Sequence, residues 1–357
     1  MKGNRDMRWY CTYCDRNYLV RLLALADSLT RHERQPFTIL VVCLDELTRT
    51  LLNHLQLPNI RSIGLHELES RDHQLREARN TRSLVEYYWT LTPTVLLFLF
   101  EQHPQIDRLT YLDADLFFFS SPEPMFSEAP DASVLIHSHR FAKRYTMLEA
   151  YGTYNVGLLS FVRNTEALGI LREWRGQCLH WCFASLEDGK FGDQLYLNDW
   201  PQRFAGVHVL QHPGVGVAPW NQNDASLATA ATGELLVDGA PLIFYHFHAL
   251  EILSPEVYLP AKLLHYRFEL PVLRHCYLPY VRTLQQELAR LDSLLPGSTC
   301  GIAHQTGAVA HTLLATQSSA LILAEHLPGF SQSPLADGWV VGKVPVELPD
   351  AGTVQTA

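Results

Sequence analysis

The sequence predicts an α/β fold, a doubly wound and mostly parallel sheet flanked by helices, with a helical C-terminal extension. Three observations carry that expectation. Strand and helix patterns alternate three times within the first seventy residues, Phe37 to Leu44 forms an unbroken apolar run, and Leu278, Val281, Leu284, Leu288 and Leu291 fall on one helical stripe. Alternation of this kind is the mark of a sheet with helices on its faces. An unbroken β-branched run is what a strand buried on both faces requires.

Each element has its own signal. Residues 8–14, Arg-Trp-Tyr-Cys-Thr-Tyr-Cys, are rich in aromatics and read as the first strand. Asp15-Arg16-Asn17 makes a turn, and Leu19, Leu22, Leu23, Ala26 and Leu29 then recur at helical spacing. After the second strand, Asp45-Glu46 caps a helix running to Leu55, and Ile60 to Leu65 gives a third strand. Residues 81–101 read as a long helix with a kink or break at Pro93. Leu109 to Leu112 is a fourth strand, and Ser133–Ile136, Gly157–Val162 and Leu242–Phe247 are further strand candidates. Asn164 to Cys182 reads as helix, and 259–295 as helix again, ending at Pro296-Gly297. The expected organisation is one domain over 1–296, helical from about 255, followed by a variable tail over 297–357 that is either a small add-on or partly disordered. In a sheet of this type, ligands bind beyond the carboxyl ends of the strands.

Composition narrows the function classes. Apolar residues make up 47% of the 357 and charged residues 18%, the balance of a globular chain with a sizeable core. A net charge of −9 argues against a nucleic-acid partner, which selects for a basic face. The start of the chain shows no secretory pattern, and the run Thr94–Phe100 is too short to span a bilayer. The expectation is a cytoplasmic protein, or one peripheral to a membrane, with no transmembrane segment. Seven cysteines, an odd number, fit a reducing compartment. Cys11 and Cys14 form a lone C-x-x-C, and Cys178, His180 and Cys182 look ligand-like, but both groups read better as small buried side chains.

The sharpest chemical signal is Tyr111-Leu-Asp113-Ala-Asp115-Leu-Phe-Phe-Phe119. On an extended backbone residues i and i+2 share a face, with Cα atoms ~6.6 Å apart. Two desolvated carboxylates on one face are costly unless protons or a cation compensate them. Mg²⁺ or Mn²⁺ takes oxygen ligands at about 2.1 Å, typically one or two carboxylates plus substrate phosphates. An acidic pair between two apolar runs therefore points to a divalent ion held by Asp113 and Asp115.

Tyr111-Leu-Asp-Ala-Asp resembles the D-x-D signature of GT-A glycosyltransferases, and the nearest pattern is that of family 8 and related nucleotide-diphospho-sugar transferases. Asp15-Arg16-Asn17-Tyr18 is similar to the family's first-strand motif, which contacts uracil and ribose. Tyr154-Asn155-Val156-Gly157 resembles the N-x-G segment near the donor sugar, and Gly192-Asp193-Gln194 the D-Q motif beside the reacting carbon. Phe244-Tyr245-His246-Phe247-His248 resembles the late His-aromatic motif that completes the metal site. The resemblance spans roughly residues 8–250 in the family's order. It implies a GT-A-like, Rossmann-like fold and an enzyme moving a hexose or N-acetylhexosamine from a UDP-sugar to a hydroxyl, with retention. It implies Mn²⁺ or Mg²⁺ on Asp113, Asp115 and His246, with His248 as the alternative third ligand. Thr12, Asp15, Asn17, Arg82 and Asp113 are the expected donor-binding residues, and Asp193, Gln194 and Asn155 the catalytic ones. Expected partners are the nucleotide-sugar and a glycan, lipid-linked glycan or protein acceptor.

The chain departs from the pattern in two places. No Lys-Pro-Trp follows His246, and Trp89 or Thr90 stands where an Arg is expected before the D-x-D. Arg82, Arg140, Lys143 and Arg144 are the candidates to supply positive charge, with 140–144 equally readable as a solvated turn. Trp220 either lines the acceptor side or is a core residue. The rival readings are a phosphatase of the haloacid dehalogenase type and a non-catalytic adaptor on a transferase fold. Leu116-Phe117 after the acidic pair, where such a phosphatase places Thr or Ser, counts against the first.

Overall fold

The computed structural model describes residues 7–231, 233–261 and 266–303, together with the strands at 320–323, 333–336 and 339–342. Two compact units divide the chain, Met1–His246 and Phe247–Ala357.

The first unit opens with β1 (Arg8–Cys14), α1 (Leu19–His32), β2 (Phe37–Cys43), α2 (Glu46–Leu55) and β3 (Ile60–Gly64). All seven residues of β2 are buried, as its uninterrupted apolar run requires. Asp45 caps α2 by accepting from the Thr48 amide at 2.9 Å. Short helices α3 (Leu65–Glu69) and α4 (His73–Arg79) lead into α5 (Leu84–Gln102), which Ser83 and Glu86 open as a capping box. Pro93 lies inside α5, and the helix continues through it where the sequence admitted a break. Next come β4 (Arg108–Leu112), β5 (Leu116–Phe118), α6 (Glu123–Glu128), β6 (Val134–Ser138), β7 (Tyr154–Val162), α7 (Thr165–His180), α8 (Trp200–Arg203) and β8 (Val207–Leu210).

The main sheet runs β3-β2-β1-β4-β7-β6-β8. Strands β3, β2, β1 and β4 are mutually parallel, β7 is antiparallel to both β4 and β6, and β8 is parallel to β6. This is the mixed, mostly parallel sheet the sequence predicts. Its core is continuous from Leu40 and Val42 through Leu91, Leu96 and Leu99 to Leu159, Phe161, Trp174 and Trp200. The register makes one edge special. The carboxyl ends of β1 and β4 lie side by side, and the start of β7 and the end of β6 meet them there.

Three later strands, β9 (Leu227–Thr229), β10 (Leu235–Val237) and β11 (Ala240–Pro241), form a small separate sheet. Strand β12 (Phe244–His246) pairs antiparallel with β5, setting His246 opposite Leu116.

In the second unit, β13 (Glu251–Ser254) and β14 (Val257–Leu259) pair with the backbone strands β15 (Ala320–Leu323), β17 (Trp339–Gly342) and β16 (Ser333–Ala336), in the order β13-β14-β15-β17-β16. Helix α9 (Leu270–Val272), a π-helical turn over Leu273–Tyr277 and α10 (Leu278–Leu294) follow one another without a gap. The leucine stripe of α10 is buried as expected, and the Phe247 ring stacks on Tyr280 at 3.9 Å. Among the described residues the helix expected from 259 begins at Leu270, and Val257–Leu259, between Pro255 and Pro260, pairs as a strand.

All seven cysteines are buried free thiols. Among the described residues no helix is long and apolar enough to cross a membrane.

Candidate functional site

The chain bends sharply after β4. Asp113 and Asp115 lie in the turn joining β4 to β5, closed by the Leu116 amide donating to the Asp113 carbonyl at 3.2 Å. The pair stands at the end of the fourth strand as expected, but in a turn and not on the extended backbone that the i, i+2 spacing assumes. A turn, not the pleat, brings the carboxylates together, because the chain must redirect for β5 to reach β12. That pairing delivers His246 to the same turn.

The His246 Nε2 atom lies 3.2 Å from Asp115 Oδ1 and 3.8 Å from Asp113 Oδ2. Among the described residues these three form a group with ligand atoms all within 4.8 Å of one another. Neighbouring ligands around an octahedral ion with ~2.1 Å bonds sit about 3 Å apart, so two oxygens and a nitrogen so spaced fit Mg²⁺ or Mn²⁺ with small adjustments.

The electrostatics match. Burial first, and then the Asp115 charge, raise the Asp113 carboxyl above the ordinary range, opposed by His246 and by the Tyr111 hydroxyl, which donates to Asp113 Oδ1 at 2.7 Å. Burial alone would lower His246, and the neighbouring carboxylates, Asp115 foremost, raise it on balance. Negative charge is thus crowded where a cation would relieve it.

The strand holding His246 ends at that residue, and Ala249 with φ of 60° turns the chain, so the alternation that would align His248 with it does not extend that far. His248 falls in the second unit, with its ring 6.4 Å from Tyr266.

Asn155 stands in β7 opposite His137, 6% exposed. Its Oδ1 accepts from the Gly157 amide at 2.8 Å, and the Gly157 carbonyl accepts from the Asp113 amide at 2.8 Å. A Cβ on Gly157 would lie 2.6 Å from Asn155 Oδ1 and 3.0 Å from the His246 ring, so the glycine is required by close approach.

Asp193 is buried, its Oδ2 accepting from Thr92 Oγ1 at 3.2 Å, and Thr92 Oγ1 lies 3.0 Å from the Tyr13 hydroxyl. Burial and the Asp113 charge push its carboxyl from 3.8 up to about 7. Gln194 turns its amide to the Tyr151 carbonyl, donating at 2.8 Å.

Asp15 and Asn17 follow β1 on the same sheet edge. Asp15 Oδ1 accepts from the amides of Asn17 and Tyr18 at 2.9 and 3.2 Å, and Oδ2 from Asn17 Nδ2 at 3.0 Å. Thr12 is fully buried in β1, and its hydroxyl meets no partner among the described residues.

The four candidate cations have the following surroundings. Arg82 lies over the Phe183 ring at 4.0 Å and donates to the Leu179 carbonyl at 3.2 Å. Arg140, with φ of 49°, donates to the carbonyls of Pro213 and Val215. Lys143 and Arg144 are exposed in a 3₁₀ segment. Trp220 is 3% exposed and donates from Nε1 to the His139 carbonyl at 3.0 Å, the position of a core residue and not of an open stacking face. Cys178 and Cys182 are both buried beside an exposed His180, so they share no ligand set with it.

Sequence reasoning passed over Tyr111, Thr92 and His139. Tyr111 carried a signal, since it stands two residues before Asp113 on a strand. Thr92 and His139 carried none, because their partners lie 101 and 16 residues away.

No family model matches the chain. Two curated proteins of Bacillus subtilis (strain 168) do: the uncharacterized protein YfnD, 30% identical over 80% of this chain and 92% of its own, and the uncharacterized protein YfnF, 32% identical over 79% and 94%. Among solved structures, mouse xyloside xylosyltransferase 1 is 14% identical, with a TM-score of 0.41 over 67% of this chain and 97% of that one. The galactosyltransferase LgtC, solved with donor and acceptor sugar analogs, is 18% identical with a TM-score of 0.43 over 66% and 86%. The glycosyltransferase GlyE of Streptococcus pneumoniae TIGR4 is 14% identical with a TM-score of 0.45 over 80% and 64%. All three are named as sugar transferases, and the likeness of this chain to each is partial.

Proposed function

We propose that this chain, which belongs to one family with YfnD and YfnF of Bacillus subtilis, is a metal-dependent glycosyltransferase that takes its sugar from a nucleotide-sugar, a UDP-sugar first among them. One observation carries the reading: Asp113, Asp115 and His246, brought from two distant segments to a single turn at the carboxyl edge of the sheet. Departure of a nucleoside diphosphate builds charge on phosphate oxygens, and a divalent ion held by these three side chains would neutralise it. Two of the three ligand atoms are carboxylate oxygens, which supports Mn²⁺ or Mg²⁺ as the ion.

The chain's own residues divide the remaining work. Asp15 and Asn17, beside β1 and next to the acidic turn, would hold the base and ribose, with Thr12 beneath them. Asn155 would face the donor sugar while ordering the Gly157 amide. Asp193 and Gln194 would steady positive charge at the anomeric carbon, the acceptor hydroxyl entering on the side the diphosphate leaves, which retains configuration. For Asp193 this demands the ionised form. A hexose or N-acetylhexosamine is the transferred group, and a hydroxyl of a glycan, lipid-linked glycan or protein is the acceptor. The buried Leu116 and Phe117 after the acidic pair weigh against the phosphatase reading, whose chemistry needs a hydroxyl there to steady phosphate.

The test is a thermal-shift screen of nucleoside diphosphates with and without Mn²⁺. The reading expects stabilisation by UDP that depends on the metal, since a ligand bound only by the folded state raises the transition temperature. Stabilisation by no nucleotide in either condition would overturn it.

A further inference from the structure

We infer that His139 is a positioning residue which sets both the acidic turn and His246 of the metal cluster; the inference rests on the metal-binding reading above. His139 follows β6 directly and is 4% exposed, so its imidazole is shaped by protein contacts and not by solvent. Its Nδ1 lies 3.2 Å from the Thr153 carbonyl, and its Nε2 lies 3.0 Å from Asn155 Nδ2. Because Asn155 Oδ1 is taken by the Gly157 amide, the Asn155 amide nitrogen must face the ring. The ring therefore accepts at Nε2 and carries its proton on Nδ1, toward Thr153.

From there an unbroken relay runs to the acidic turn. His139 Nε2 accepts from Asn155, Asn155 accepts from Gly157 at 2.8 Å, and the Gly157 carbonyl accepts from the Asp113 amide at 2.8 Å. Rotation of the Asn155 amide would set its NH₂ against the Gly157 N–H, leaving a buried donor unpaired at a cost of about 1–3 kcal/mol. The imidazole prevents that rotation by offering only an acceptor.

A second arm reaches the histidine of the cluster. The His139 carbonyl accepts from Trp220 Nε1 at 3.0 Å and from Asn221 Nδ2 at 2.8 Å. The Trp220 ring then stands edge-on to both imidazoles, 5.1 Å from His139 and 5.3 Å from His246. Asn221 also ties the segment down through the Gly216 carbonyl, and the Val217 carbonyl in the same segment accepts from the His246 amide at 2.8 Å. One residue outside the cluster thus fixes the backbone of one ligand and the ring of another. Such supports commonly govern affinity for a metal as strongly as about 10–100-fold.

The experiment compares His139→Phe with His139→Gln in the full chain, titrating Mn²⁺ alone and following the unbound ion by its magnetic resonance signal. Phenylalanine keeps the stacking on Phe141 (4.6 Å between ring centres) but offers Asn155 no acceptor, whereas the glutamine amide oxygen can replace Nε2. The expected result is a loss of about tenfold or more in Mn²⁺ affinity for His139→Phe and of roughly threefold or less for His139→Gln, with metal-free melting temperatures of the two variants alike. Wild-type affinity in His139→Phe would overturn the inference while leaving the metal reading standing. So would equal losses in both variants that track their melting temperatures, the behaviour of a side chain that only fills space. If His139→Phe does not fold, Asn155→Ala cuts the relay one bond further on, and undiminished Mn²⁺ affinity there overturns the inference equally. Absence of Mn²⁺ binding by the wild-type chain would remove both readings together.

Discussion

The turn at 113–115 and the loop at 15–17 sit on the same edge of the same sheet, yet they are held in opposite ways. Asp15 satisfies itself within its own turn, accepting from the amides of Asn17 and Tyr18 and from the Asn17 side chain, with Asn17 and Tyr18 open to solvent. Among the described residues, the distant ties of that loop run to Asp45, which accepts from the Arg16 amide at 2.8 Å, and to the Tyr88 hydroxyl at 3.5 Å. The acidic turn instead depends on β7 through Gly157, on β12 through His246 and on Tyr111 beneath it. A loop satisfied mostly within its own turn leans on few neighbours, here chiefly Asp45. A turn carrying two crowded carboxylates keeps its shape only while several distant segments agree.

The contrast yields ordered predictions. The largest effect belongs to Asp115→Ala, which should abolish Mn²⁺-dependent stabilisation, whereas Asp15→Ala should weaken nucleotide binding and leave Mn²⁺ affinity within about twofold. Calorimetry with each ligand separately checks this, and equal damage to metal binding by both variants would erase the distinction. Next is Gly157→Ala. The new methyl presses on Asn155 and on the His246 ring, so Mn²⁺ affinity should fall together with about 1–3 kcal/mol of stability, measured by denaturant unfolding.

A smaller effect reports on Asp193. Its carboxyl, raised from 3.8 to about 7, keeps its proton in the folded chain where the unfolded chain has lost it. Protons bound in excess by the folded state mean that its contribution is full below about 3.8 and is lost as pH rises toward about 7. Asp193→Asn should therefore flatten the fall in metal-free stability over that interval, by an amount on the order of 1–4 kcal/mol. An unchanged pH profile would show that the carboxyl titrates as in the open chain. Thr92→Val removes the hydroxyl donor that lowers the Asp193 value, so it should move the same titration upward and cost about 1 kcal/mol. The smallest effect is expected for Asp45→Ala, about 1 kcal/mol from a lost helix cap, with loosening of the loop at 15–17 and no change in Mn²⁺ affinity.

Much of this was legible in advance because it is local. The alternation of β1, α1, β2, α2 and β3 follows from hydrophobic period, and the cap Asp45 from residue type beside it. The short strand β5, the hairpins at 227–241 and the strands β13 and β14 were not legible. Short apolar runs carry no period long enough to tell strand from coil, and partners decide them.

The candidate site divides along the same line. Two carboxylates between apolar runs are written in one stretch of chain, and the chemistry they demand follows from charge alone. The third cluster member was named only by resemblance, with two histidines open. The choice falls to His246 in this geometry because β12 ends there, a fact of strand pairing. The support from His139 could not be read at all. It depends on which carbonyl, amide and ring face one another after β6, β7 and the 216–221 segment have packed, and hydrogen-bond geometry between distant segments has no trace in the order of residues. The sequence by itself determined the fold class, the core and the crowding of two carboxylates; only the tertiary structure decided which groups gather around them, because buried charge is a local cost and its compensation is a long-range arrangement.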